Sequence, residues 1–312
     1  MLQGVVAFWL SMLPIPVAVK TSVVALCRNF LWRKPKVRWV NICSPKKEGG
    51  LGLLDLGVWN CGFMLKHYWH IASRKDCLWV RWVHHRYLSV IDPFEWEPHR
   101  CDSPLIKAII HARDVVDELE NRNGSVEDTL EDWCVAGRFR VSKAYEAMRE
   151  KRPRVSWAKQ VWAPNNTPKH MFILWLANLG KLSTFDRLFF LDIESGCRLC
   201  GADLETHEHL FFECTYANAI WREVRARFMI HRGVNSLTSG LRWLRRHARG
   251  RGCLNRARVF ALSASVYYIW HARNTCVFDN VIIPMADVAR LVITHVCRLL
   301  HELFPYGEVA AL

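Results

Sequence analysis

Nowhere in these 312 residues do two aspartates stand side by side. Template-directed polymerisation of nucleotides needs paired carboxylates on a tight hairpin to hold two Mg²⁺ ions, so that activity is not expected of this chain. Acidic residues are missing altogether between Val224 and Phe278. A membrane-spanning run is lacking too: the apolar opening from Gly4 to Val19 is broken by Pro14 and Pro16 before it reaches spanning length, and it has no basic n-region of a signal peptide. The Gly49-Gly50-Leu51-Gly52 run has no Lys-Ser/Thr after it and no strand-to-helix context, which excludes a phosphate loop and leaves a turn. Internal repeats and low-complexity tracts are absent as well. No small-molecule substrate is indicated.

Cysteine, by contrast, is plentiful and unevenly used. Cys27, Cys43, Cys61, Cys77, Cys101, Cys134, Cys253, Cys276 and Cys297 are scattered, which suits reduced thiols in an intracellular protein and not a disulfide scaffold. Cys197, Cys200, His209 and Cys214 are different. They stand as C-x2-C-x8-H-x4-C, a set of soft donors that can close a tetrahedral Zn²⁺ site at about 2.3 Å for sulfur and about 2.0 Å for nitrogen. With the shell full, no position remains for an activated water, so the expected role of the metal is structural. Cys197-Arg198-Leu199-Cys200-Gly201 reads as a zinc knuckle in which Gly201 takes a positive φ. Glu208 to Cys214 reads as a short helix with Leu210 and Phe211 packed under the metal. His207 competes with His209 as the donor. His209 is preferred for its x4 spacing to Cys214. The bland alternative, buried thiols without a metal, must explain four donors within eighteen residues.

The net charge of +14 is segregated. Arg225, Arg227, Arg232, Arg242, Arg245, Arg246, Arg249, Arg251, Arg256, Arg258 and Arg273 fall in the acid-free stretch, whereas Asp114 to Asp132 is crowded with acids opposed only by Arg122. That acidic stretch reads as a solvated helix and connector. Arg242, Arg245, Arg246 and Arg249 follow i, i+3, i+4, i+7, so on a helix they share one face, with Leu241, Leu244 and Ala248 opposite. With Arg251 they form a candidate phosphate-binding stripe for RNA or DNA, since guanidinium forks match phosphate oxygens. The competing reading is a solvated cationic face. The fifteen Trp are assigned to core packing, with Trp32, Trp39, Trp79 and Trp82 the better candidates for stacking on a base.

Punctuation and periodicity give the organisation. A helix is expected over 18–33, then a loop through Pro35, Pro45 and the glycine run, then aromatic helices over about 58–87. Pro93, Pro98 and Pro104 mark a boundary, and Arg138 to Val141 is the one convincing strand. Val259, Leu262, Val266, Ile269 and Trp270 define one amphipathic helix, and Val288, Leu291, Val292, Val296, Leu299 and Leu303 another. The expected fold is mainly α, with a short β-hairpin and a CCHC zinc-binding turn.

The residues around the metal set resemble the zinc-binding domain that follows the reverse transcriptase in plant non-LTR (LINE-type) retrotransposons. The resemblance runs through Trp133, Gly137-Arg138-Phe139-Arg140-Val141, Ser142-Lys143-Ala144-Tyr145, Trp157, Val161-Trp162, Pro168-Lys169, Phe172 to Ala177, Leu182-Ser183-Thr184, the His209-Leu210-Phe211-Phe212 block and Trp221. It departs at Asn178-Leu179-Gly180-Lys181, where the family has a more basic turn, and at His170. Upstream, Leu26 to Trp32, Lys36-Val37-Arg38-Trp39, Pro45 to Leu53 and Leu78 to Val83 look like the region connecting the polymerase core to that domain. The resemblance implies a connector over 1–100, an acidic linker over 101–131, the zinc-binding domain over 132–230 and a basic helical region over 231–312. It also implies that Met1 is an internal methionine of a truncated reading frame.

A ribonuclease H would need a carboxylate cluster on a strand-rich fold, and after Asp279 only Asp287, Glu302 and Glu308 remain, in or beside a helical pattern. The expected function is a non-catalytic, zinc-dependent, nucleic-acid-binding portion of a retroelement polyprotein, with the polymerase region as a further partner and the nucleus as its compartment. The alternatives are a structural or protein-interaction zinc module and an inert retroelement remnant whose aromatics lack their cover.

Overall fold

The structure, a computed structural model, describes residues 7–32, 37–120, 125–188, 196–202, 204–231, 233 and 235–310. Met1, Gly4, Pro35, Lys36, Arg122 and Arg232, named above, and the last position of the helix expected over 18–33 lie outside the described residues. The described chain is mainly α, with one two-stranded antiparallel hairpin and a Cys/His turn, the class that the sequence implies. It divides into two compact units, Met1–Pro153 and Arg154–Leu312.

The first unit contains α1 (Val17–Leu31), α2 (Trp39–Cys43), α3 (Leu56–Ala72), α4 (Leu78–Tyr87), α5 (Pro104–Glu120), α6 (Val126–Asp132), the strands β1 (Cys134–Val135) and β2 (Arg138–Phe139), and α7 (Val141–Met148). Its core forms around α3, which packs against α5 and α7. Asp55 starts α3 by accepting from the Gly57 and Val58 amides at 2.8 and 3.1 Å, satisfying two donors that the helix leaves open. Met64, Leu65, Tyr68 and Ile71 then meet Ile106, Ile109, Ile110 and Val116 of α5. Gly62 lets α7 come close, because a Cβ there would sit 3.1 Å from Val141 Cγ1. The buried Asn60 ties the chain before α1 to α3: its amide donates to the Leu10 and Leu13 carbonyls at 2.9 Å and accepts from the Ile15 amide at 2.9 Å.

The acidic stretch is therefore more than a solvated linker. α5 exposes Asp117 and Glu118 on one side, while its other face belongs to the core. The strand is also shorter than expected. Cys134 pairs with Phe139 and Val135 with Arg138 across Ala136 and Gly137, both at positive φ, which is the two-residue hairpin geometry that matches strand twist. Val141 already belongs to α7, and Trp133 and Phe139 pack into the same core as α3. The glycine run is a turn held by Leu51 N–H donating to the Ile42 carbonyl and Gly52 N–H to the Ser44 carbonyl. Beside it, Arg149 grips buried Glu48 with two hydrogen bonds of 2.7 Å. α1 contributes no buried side chain, and Phe8, Trp9, Met12, Leu13, Val17, Leu26 and Phe30 are exposed around it.

The second unit contains α8 (Ala158–Val161), α9 (Pro168–Asn178), a π-helical turn (His209–Glu213), α10 (Thr215–Arg227), α11 (Leu237–His247), α12 (Cys253–Asp279), α13 (Met285–His301) and α14 (Tyr306–Ala310). α12 is its axis, packed by α9, α10, α11 and α13. Small residues on α12, Ala257, Ala261, Ser263, Ala264, Ser265 and Ala272, let those neighbours approach, while Phe260, Val266 and Ile269 supply apolar burial. Asn280 ends α12 in the left-handed conformation at φ 55°. The two amphipathic patterns read from the sequence thus become α12 and α13, although Leu291 faces outward at 47% exposure. The compact units join what the sequence divides at residues 100, 131 and 230: the hairpin and α7 pack within the first unit, and the basic C-terminal helices pack on α9 and α10 within the second. Among the described residues no helix is long and apolar enough to cross a membrane.

His170 of α9 is 3% exposed, stacked on Tyr267 at 4.2 Å and 4.4 Å from the ring of His295. Burial drives its pKa down to about 3, and His295, Lys169 and Arg298 push in the same direction. A histidine whose folded value lies below its ordinary value takes up its proton mainly on unfolding, so stability is retained above about pH 6.5 and lost as the pH falls below it. Lowering the pH from 8 to 5 should cost the second unit about 2 kcal/mol through His170. Thermal melts across that range should show this loss and should be flatter for His170→Phe.

Candidate metal centre and its surroundings

The four sequence-selected donors converge. Cys197 Sγ lies 3.9 Å from Cys214 Sγ, Cys200 Sγ lies 3.3 Å from His209 Nε2, and all four ligand atoms lie within 4.8 Å of one another. A tetrahedron of sulfur and nitrogen at zinc-like bond lengths has edges of about 3.8 Å for S–S and about 3.5 Å for S–N. The donors therefore fit around a single ion without rearrangement of the chain.

Local geometry explains the convergence. Gly201 N–H donates to the Cys197 carbonyl at 2.8 Å, and Cys197 N–H donates to the Ala202 carbonyl at 3.1 Å, closing the knuckle. Gly201 sits at φ 74°, the left-handed conformation the turn requires. The second donor pair comes from the π-helical turn His209–Glu213, in which Leu210, Phe211 and Phe212 are buried. Thr206 Oγ1 accepts from the His209 amide at 3.0 Å and starts the turn, and Cys214 N–H donates to the His209 carbonyl at 2.7 Å and ends it. Cys214 is also the N-cap of α10, where helix amides favour a thiolate. His207 is not part of the cluster: its Nδ1 lies 3.3 Å from the Thr184 hydroxyl.

The buried sulfurs of Cys197 and Cys214 compete for charge. The hydrogen bond from Cys214, aided by the Cys200 and Leu199 amides, holds the Cys197 thiol well below its usual range, while donating that same hydrogen bond, together with burial, holds the Cys214 thiol well above it. A pair like this releases one proton readily and the second only to a cation, so metal binding displaces a proton.

Two contacts fasten the cluster to α12. Cys276 Sγ lies 3.4 Å from the Arg198 carbonyl of the knuckle. Between the knuckle and the π-helical turn, Glu205 is fully buried and receives Arg273 Nε and its terminal nitrogen at 2.6 to 3.1 Å, as well as the Phe185 amide at 3.1 Å. Arg273 also lies over the rings of Phe185 and Trp270, at 4.5 and 5.1 Å. Burial pushes the Glu205 carboxyl above its usual range against the pull of Arg273. At this carboxyl desolvation thus outweighs the attraction, and the pair sets position more than it adds stability. On the other side, Trp221 Nε1 donates to the Phe211 carbonyl at 2.7 Å, and its ring stacks on Phe212.

Residues 139–221 match the family model described as zinc-binding in reverse transcriptase. That match contains all four donors, Glu205 and Trp221. A curated Arabidopsis thaliana protein, named provisionally as a ribonuclease H protein, is 31% identical over 85 residues, a stretch that is 25% of this chain and 14% of that one. The chain therefore spans a small fraction of this relative's length. No solved structure matches it significantly.

Outside the segment that matches this family model, Arg242, Arg245 and Arg246 lie exposed on α11, whose Leu241 and Leu244 are buried. A capping box between Ser236 and Ser239 starts this helix, and it ends at His247, so Arg249 and Arg251 follow it and do not extend its stripe. Both are exposed, and Arg249 Nε donates to the Arg245 carbonyl at 2.9 Å. Ala248 is the C-cap, with Arg245, Arg246 and His247 in the last turn, where the helix dipole favours positive charge. Arg273 departs from the pattern entirely, because it is buried against Glu205. Arg258 donates to the Phe228 and Met229 carbonyls and lies over Trp243. Of the tryptophans singled out, Trp32 is buried, Trp79 meets His67 edge-on and Trp82 is 52% exposed on α4.

Glu205 and Arg273 carry no spacing signal. Glu205 is one acid in a run that also holds Asp203 and Glu208, and Arg273 is one of three arginines in α12, so their partnership is visible only in three dimensions. Glu205→Gln leaves Arg273 buried without its counter-charge, which should cost about 3 kcal/mol of stability, and chemical denaturation should register that loss. Cys197→Ser should leave the purified protein without its equivalent of metal by elemental analysis, while Cys101→Ser, in an exposed thiol of the first unit, should leave the metal content unchanged.

Proposed function

We propose that this chain is a zinc-dependent, nucleic-acid-binding portion of a reverse transcriptase polyprotein from a plant non-LTR retroelement of the LINE type, with neither polymerase nor ribonuclease H chemistry of its own. The observation that carries this reading is the cluster of three sulfurs and one imidazole inside the segment that matches the reverse transcriptase zinc-binding family. Zinc suits the set, since three thiolates and an imidazole in a tetrahedral arrangement are its usual structural ligands. With no coordination position open, the ion joins the knuckle, the π-helical turn and the start of α10. Glu205 and Cys276 pass that order to α12, on which α11 and its arginines rest.

RNA or DNA is the ligand this surface suits. Arg242, Arg245, Arg246, Arg249 and Arg251 are exposed together with no acidic residue in the surrounding sequence, and neutralising phosphates with arginine releases counterions. A nuclear location accords with such a partner. A second reading, a protein-interaction module that docks on the polymerase region, is favoured by the exposed apolar side chains around α1. A pull-down of that region that survives nuclease treatment would support it.

Retention of single-stranded RNA across a salt series tests the first reading. Replacing Arg242, Arg245 and Arg246 by alanine should flatten the slope of log affinity against log salt by about 2, at about 0.7 per phosphate contact. A wild-type response that is already flat would exclude it.

A further inference from the structure

Within the second unit, a cleft of about 280 Å³ opens between the N-cap of α8, the last residue of α9 and the exposed side of α11. Ser156, Trp157, Asn178, Thr238, Arg242 and Arg245 line it, with Leu241 at its floor. We propose that this cleft holds one unpaired nucleotide of a single-stranded nucleic acid, with the base against Trp157 and the flanking phosphates on Arg242 and Arg245. The inference rests on the nucleic-acid reading above and adds the strand type and the residues that would recognise it.

Three features carry it. Trp157 is half-buried, so its indole is held by the fold yet still forms part of the cleft wall. An aromatic face held in this way accepts any base, because every base has a π-face. Arg242 and Arg245 are three residues apart on one helix face and both exposed, so two guanidinium groups stand beside the same aromatic wall. Asn178 supplies an amide, and Ser156 and Thr238 supply hydroxyls, groups able to meet a base edge or a sugar. The volume is close to the lower limit of sites that enclose small ligands, about 300 Å³. In a duplex the base faces are covered by their neighbours, so only an unpaired base can present one to Trp157. An acidic peptide would use the arginines and leave the indole without a role.

The test measures binding of the full chain to fluorescent oligouridylate and to a mixed-sequence RNA duplex by anisotropy, for the native protein, Trp157→Phe, Trp157→Ala and Arg242→Ala/Arg245→Ala. Trp157→Ala should weaken the single strand between about fivefold and 150-fold, the range for loss of one base–aromatic stack, and leave the duplex within twofold. Trp157→Phe should retain most of the affinity. The double arginine variant should weaken both ligands and reduce their salt dependence. Unchanged single-strand affinity in Trp157→Ala, with the arginine variant still impaired, would overturn the cleft and spare the general reading. Equal losses on both ligands in Trp157→Ala would also overturn the cleft. Absence of binding by the native chain to either ligand would overturn both. A photocrosslink from 5-iodouridine RNA to the native protein needs no variant: an adduct at Trp157 supports the proposal, and adducts confined to other aromatics, such as Trp82, contradict it.

Discussion

Two buried sulfurs 3.9 Å apart cannot both carry negative charge unless a cation sits beside them. That constraint organises the second half of the chain. The knuckle places Cys197 and Cys200, the π-helical turn places His209 and Cys214, and neither segment is long enough to hold its own donors rigidly. A shared ion would convert these two turns into one fixed element, which is how a structural metal substitutes for core in a loop-rich region.

The effect does not stop at the donors. Glu205 stands between the two ligand pairs in sequence and reaches Arg273 in the last two turns of α12, while Cys276 meets the knuckle one turn further along. The ion pair is a poor source of stability, because burial of the Glu205 carboxyl outweighs the pull of Arg273 on it. Its value is positional: a mismatched register between the metal loop and α12 would strand a charge in an apolar interior. α11 packs on α12 and displays the arginines, so the Cys/His cluster, the ion pair and the basic face form one connected chain of contacts. The first unit is built on other grounds, with α3, α5 and α7 around an apolar core, Asn60 tethering the preceding chain and Glu48 paired with Arg149.

Much of this was legible in the residues. The spacing of the Cys/His set, the positive φ at Gly201 and the two long C-terminal helices follow from short-range chemistry; in the structure the four donors lie together, Gly201 has φ 74°, and both helices form, with α12 buried as a central helix. What could not be read depends on contacts distant in sequence. The acidic stretch looked like a linker because acid content hides the apolar stripe of α5, and Arg273 looked like part of a basic surface because its partner lies 68 residues away. Helical spacing carried the arginine stripe as far as Arg249, but α11 ends at His247, since two glycines and a change of direction precede α12. Trp157 looked like core alone, and only the cleft places it beside Arg242 and Arg245.

X-ray absorption at the metal edge of the purified, full-length protein tests the central claim most directly. The account predicts zinc with a first shell of three sulfurs at about 2.3 Å and one imidazole nitrogen at about 2.0 Å. A shell dominated by oxygen, or a well-folded protein that binds no metal at all, would contradict it.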